Sequence, residues 1–187
     1  MRDIASYYNR EQGRILIEVK AGSAARLFNA MDPSPLEAKE LDGATAEYIA
    51  DAAREFPLKT AMRLVLYPTG DKDWKSRPDA VREAVHNYFE YRAGVAAREL
   101  RELLRRGWRS LAIGAAFLFA CITARHLLGA YKEHLYHGII SEGLLISGWV
   151  AMWRPIQIFL YDWWPIRRKR MIYEKLSRME VEVQQAD

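Results

Sequence analysis

Thiol chemistry is almost absent from this sequence. Cys121 is its one cysteine, so no intrachain disulfide forms and nothing argues for an oxidising compartment. A zinc-binding cysteine set, a Walker-type glycine loop, a Rossmann fingerprint and a nucleophile elbow are all missing. No catalytic residue, metal site or cofactor is therefore assigned, and the chain is read as non-catalytic. Acid pairs such as Glu37 with Glu40 sit at helical spacing, where a solvated face accounts for them. The opening residues, Met-Arg-Asp-Ile-Ala-Ser-Tyr-Tyr, lack an apolar run after their charges, so later apolar segments are expected to direct any membrane insertion. Internal repeats and low-complexity tracts are also lacking.

What is present is basic charge in particular places. The 187 residues carry a formal charge of +4, which would suggest nucleic acid if the cations lined a soluble face. They do not. Arg98, Arg101, Arg105, Arg106 and Arg109 precede one apolar stretch, and Arg167, Arg168, Lys169 and Arg170 follow another. Both groups flank the same slab, so anionic lipid headgroups are the expected partner and nucleic acid is not.

Residues 1–13 are polar and read as an N-terminal arm. Residues 14–107 read as a small α/β (α+β) domain on the cytosolic side. Arg14-Ile-Leu-Ile-Glu-Val-Lys20 predicts a strand ended by Gly22, and Ser23 to Met31 a short helix. Ser34 with Glu37 matches a capping box, with Pro35 in the first turn. Asp42 predicts the N-cap of a helix reaching about Phe56, which Pro57 closes. A second strand spans Ala61 to Tyr67, and Pro68-Thr-Gly70 turns the chain. Ser76 and Asp79 around Pro78 open a long stalk helix, with Gly107 as a joint or as part of one continuous helix. Residues 167–187 form a basic tail in which Met179-Glu-Val-Glu-Val183 alternates as a strand that could return to the sheet.

Residues 108–166 predict a transmembrane helical hairpin, with segments at about 108–128 and 139–161, so the chain is helical overall. Leu111 to Ala124 holds no charge, and with Trp108 and Leu127-Leu128 the first segment reaches about twenty residues, enough to span a bilayer. The flanking arginines place both termini in the cytosol of a bacterial inner membrane, with the Arg125 to Gly138 connection outside. Ala112, Ala116, Ala120 and Ala124 recur every four residues, as do Gly143, Ser147 and Ala151. These stripes are expected to face each other. Such packing would bring Arg125 near Glu142.

Polar groups inside the second segment are expensive. Arg154 needs a partner at bilayer depth, and Asp162, eight positions on, is out of reach along a straight helix unless Pro155 bends it. Alternatively the span ends near Trp153 and both charges meet headgroups. His134 and His137 share a helical face beside Glu133, but spacing alone makes no metal site of them. His86, among Tyr88, Phe89 and Tyr91, could be a base in a pocket, but a histidine on an amphipathic helix is more often structural.

The runs Leu27-Phe-Asn-Ala-Met-Asp-Pro-Ser-Pro35, Trp149-Val-Ala-Met-Trp-Arg-Pro155 and Phe159-Leu-Tyr-Asp-Trp-Trp-Pro-Ile-Arg-Arg168 resemble uncharacterised bacterial two-span membrane proteins with a Trp-rich second helix. The resemblance implies a full-length unit and carries over no activity or site residue. The expected role is an oligomeric scaffold or accessory subunit of a membrane complex, as a homo-oligomer or with partners, meeting its neighbour through Trp149 and Trp153. The alternatives are a channel or transporter component using Arg154, Asp162 and Glu142, or a membrane-tethered sensor or enzyme.

Overall fold

The computed structural model describes residues 7–22, 24–68, 77–128 and 137–184. The expected turn at Thr69-Gly70, the Ser76 cap, and Glu133 and His134 in the external connection lie outside these residues. Two compact units are present: Met1–Ala96 with Arg168–Asp187, and Ala97–Arg167. Helix is the majority structure, accompanied by one small mixed sheet.

The sheet belongs to the first unit. Strands β1 (Arg10–Glu11), β2 (Arg14–Ala21), β3 (Met62–Pro68) and β4 (Glu180–Val183) lie in that order. β1 pairs antiparallel with β2, and the two following pairs are parallel. Residues 10–13 are thus the start of a hairpin rather than of a free arm. Its turn has positive φ at both Gln12 (50°) and Gly13 (77°), the twist that suits the flanking strands. Tyr8 is fixed too: its hydroxyl donates to Glu55 at 3.0 Å and its ring meets Phe56 edge-on. Burial and that carboxylate push the Tyr8 hydroxyl up to about 12.

Helices α1 (Ala24–Leu27) and α2 (Gly43–Arg54) lie between β2 and β3. Asp42 caps α2, accepting from the Ala44 and Thr45 amides at 3.1 and 3.2 Å. The expected capping box at Ser34 does not form. Residues Leu36–Ala38 make only a 3-10 turn with no side-chain cap. The preceding loop closes on Asp32 instead, whose carboxylate accepts from the Ser34 and Glu40 amides at 2.9 and 2.7 Å. Hydrogen bonding from Ser34 is the main reason its carboxyl is lowered to about 2.

Helix α3 (Pro78–Leu128) starts at the proline, whose missing N–H costs nothing in a first turn. Its early residues Val81, Val85, Phe89 and Ala93 are buried against the sheet, as are Ile172, Tyr173 and Leu176 of α5 (Trp163–Leu176). β2 contributes Ile15, Ile17 and Val19 from alternate positions, and α2 contributes Ile49 and Ala53. Each fully buried side chain of the size of Phe28 or Phe89 contributes about 1.5–3 kcal/mol. The core is therefore built from two stretches of chain, with the second unit inserted between them.

The second unit holds the later part of α3, helix α4 (His137–Gln157), a π-helical segment (Ile158–Asp162) and the start of α5. The two helical stretches that run through it, Pro78–Leu127 and Gly138–Leu176, are long and apolar enough to cross a membrane. Gly107 makes no joint, because α3 continues through it. The bare Cα instead admits Ile158 and Phe159: a Cβ there would lie 2.8 Å from Ile158 Cγ2.

The expected small-residue stripes also require correction. Ala112, Ala116 and Ala120 are exposed and Ala124 is half-buried, while Gly143 and Ser147 are exposed. The close approach belongs to Gly114, next to Ala151, and to Gly148, next to Leu118 and Cys121. Gly107, Gly114 and Cys121 are buried seven apart, and Ser141, Gly148, Pro155 and Asp162 share the same spacing with partial or full burial. Seven residues return almost to the same side of a helix, as left-handed packing needs, whereas steps of four drift onto the neighbouring face.

Candidate functional site

The chemistry-bearing part of the second unit is where α4 meets the π segment. Pro155 has no N–H, so it gives nothing to the carbonyl of Ala151 one turn back. That oxygen faces the Cα of Gly114: a Cβ built on the glycine would come within 2.9 Å of it. A weak Cα–H contact and close backbone packing are what such a geometry offers. Beyond the proline the ladder widens into the π segment, a local irregularity with an identifiable cause.

Asp162 closes that segment and is brought within 3.5 Å of the Arg154 guanidinium. Eight positions would separate the two on a straight helix, so proline and π turn together supply the missing reach. The side chains are 63% and 37% exposed. In water such a pair would contribute about 0–1 kcal/mol. In hydrocarbon its importance is different, since an arginine there is admitted only in company.

Aromatic groups surround the turn. Trp163 donates its indole N–H to the Phe159 carbonyl at 2.8 Å. Trp108 meets the Phe159 ring edge-on with centroids 5.4 Å apart, and Arg167 lies 5.5 Å over the Trp163 ring. Trp149 and Trp153 are 63% and 64% exposed, on a face away from Gly148. Of the remaining basic run, Arg168 donates to the Arg54 carbonyl and Arg170 pairs with Glu174, both within the α/β unit. Those two cations thus have protein partners besides any headgroup.

At the far end of the hairpin Arg125 donates to Ser141 Oγ at 3.0 Å, while Glu142 beside it is exposed. Glu142 lies several turns from Arg154, so the three charges form no single cluster. His86 bonds the Met179 carbonyl through Nε2 at 2.8 Å, which ties α3 to the chain before β4 and gives the ring a structural job. Among the described residues no group of three His, Cys, Asp or Glu is placed to hold a metal ion.

The contacts missed by inspection of the sequence are Gly114, Gly148 and the π turn. A seven-residue period of buried small positions was the available signal for the glycines, and Pro155 in mid-segment was the signal for the turn. No family model, curated protein or solved structure matches the chain.

Proposed function

We propose that this protein is a non-catalytic membrane subunit, in which the α3–α4 hairpin crosses the bacterial inner membrane and the α/β unit lies in the cytosol with both termini. The second helix meets another copy or a partner protein through Trp149 and Trp153. The observation that carries this reading is the exposure of both rings on a helix whose other face is occupied by Gly148 and Ala151 against the first helix. Ile113, Phe119, Ile146 and Val150 are exposed as well, so apolar surface surrounds the hairpin and favours lipid as its solvent. Tryptophan at the headgroup level is ordinary, but Trp149 lies one turn deeper than Trp153, where a protein contact accounts better for an indole. The flanking arginines support the orientation.

The test is the mass of the detergent-solubilised protein, alone and with whatever copurifies. Replacing both tryptophans by leucine keeps the helix apolar while removing ring area, so insertion survives and the assembly shrinks. A wild type that is monomeric and partnerless would overturn the proposal. A second reading, a channel or transporter component, draws on the Arg154–Asp162 pair, because a charge pair on a π turn suits a polar path once several copies assemble.

A further inference from the structure

A cavity of about 370 Å³ opens in the α/β unit between α2, the early part of α3 and α5. It lies wholly within that unit, so the site itself does not depend on the hairpin, whereas a lipid source for its ligand rests on the proposed membrane reading. Three cations line it, Arg54, Arg92 and Lys169, with one carboxylate, Glu47, and Arg54 is paired with Asp51 on the same helix. The space exists because α2 presents Ala46 and Ala50 here, both buried and both ending at Cβ.

Arg92 is held in an unusual way. Its guanidinium carbon lies 5.9 Å from the Tyr88 ring centroid and 5.6 Å from that of Tyr173, and both rings line the same cavity. Ring contacts fix the plane of a guanidinium, and its N–H donors, which lie in that plane, suit the paired oxygens of a phosphate. Tyr173 is itself anchored, being buried and stacked on Phe89 at 6.1 Å. A pre-oriented arginine loses less freedom on binding than a mobile one.

Charge and shape together define the ligand class. A cationic lining favours an anion, and the Arg92 plane with Lys169 in the same cavity favours phosphate over a simple carboxylate. Glu47 would repel a bare anion, yet it would accept a hydrogen bond from a hydroxyl carried next to the phosphate. We propose that this cavity binds a phosphate monoester or diester bearing a neighbouring hydroxyl, the chemistry of glycerol phosphate. That group has two sources, a small soluble ester and the headgroup of phosphatidylglycerol. Lys169 belongs to the basic run that follows the second apolar helix, which keeps the lipid source in play.

The experiment titrates glycerol 3-phosphate into the full-length protein in phosphatidylcholine nanodiscs, by calorimetry. It is repeated in nanodiscs doped with phosphatidylglycerol. Saturable heat in both assigns the soluble ester, whereas heat abolished by the doped lipid assigns the headgroup. Arg92→Gln should weaken binding about tenfold or more, the loss expected for one charge-assisted contact. Lys169→Gln is the second variant should the first fail to fold, and Glu47→Gln should strengthen inorganic phosphate relative to the hydroxyl-bearing ester. Lys39→Gln, outside the cavity, should change nothing. Absence of saturable heat in undoped nanodiscs, or folded Arg92→Gln and Lys169→Gln proteins that bind like wild type, would overturn the proposal.

Discussion

The Cα of Gly114 faces the carbonyl oxygen of Ala151 so closely that a Cβ on the glycine would stand 2.9 Å from it. The obstacle is backbone, which does not rotate away. Gly114→Ala should therefore force the two helices apart and lower the thermal stability of the solubilised protein, by about 1–3 kcal/mol as overpacking does elsewhere. Gly143 has open space around its Cα, so Gly143→Ala should be tolerated or slightly stabilising. Equal melting of the two variants would show that the hairpin does not close at Gly114.

Asp162 should matter to Arg154 rather than to the helix. In a double-mutant cycle, Arg154→Gln and Asp162→Asn are each expected to destabilise the protein in lipid nanodiscs. The pair together should cost less than the sum, with a coupling of at least about 0.5 kcal/mol. Strict additivity, read from thermal melts of the four proteins, would mean that the 3.5 Å contact has no energetic consequence.

A pH dependence follows from the loop before α2. The Asp32 carboxyl is lowered from 3.8 to about 2 by hydrogen bonds it accepts in the folded chain. A depressed pKa means that the stabilisation is fully present above 3.8 and is lost as pH falls through about 2. Asp32→Asn should accordingly flatten the acid limb of the stability profile between those values and leave neutral pH less stable than wild type. Carboxyl-carbon NMR of the Asp32 signal gives the direct check, and titration at the ordinary value would contradict the hydrogen-bonded loop.

Local signals in the sequence were enough for several elements. The alternation of Arg14 to Lys20 and the Asp42 cap correspond to β2 and α2, because strand parity and an N-cap are settled by neighbours in the chain. Met179 to Val183 alternates, and Glu180–Val183 is a strand beside β3. The capping box at Ser34 failed because Asp32 takes the Ser34 amide that Glu37 would have accepted from, and holds the Glu40 amide as well. At the candidate site, Arg154 and Asp162 were visible as costly charges, but their meeting was not, since it depends on a π turn that periodicity at 3.6 does not encode. The glycine contacts were hidden by alanines at four-residue spacing, a pattern that composition produces readily in apolar helices. The 370 Å³ cavity draws on three helices distant in sequence, and no local pattern announces it.

The proposed function depends on the hairpin crossing the bilayer, and site-directed labelling tests that most directly. In a Cys121→Ala background, single cysteines replace Gly138, which is exposed with open space around its Cα, and Lys59, which is exposed in the α/β unit. An impermeant maleimide is added to intact spheroplasts and, separately, to lysed ones. The expected result is labelling of Gly138→Cys in both and of Lys59→Cys only after lysis. Labelling of Lys59→Cys in intact spheroplasts, or protection of Gly138→Cys until lysis, would contradict a two-span hairpin with a cytosolic domain.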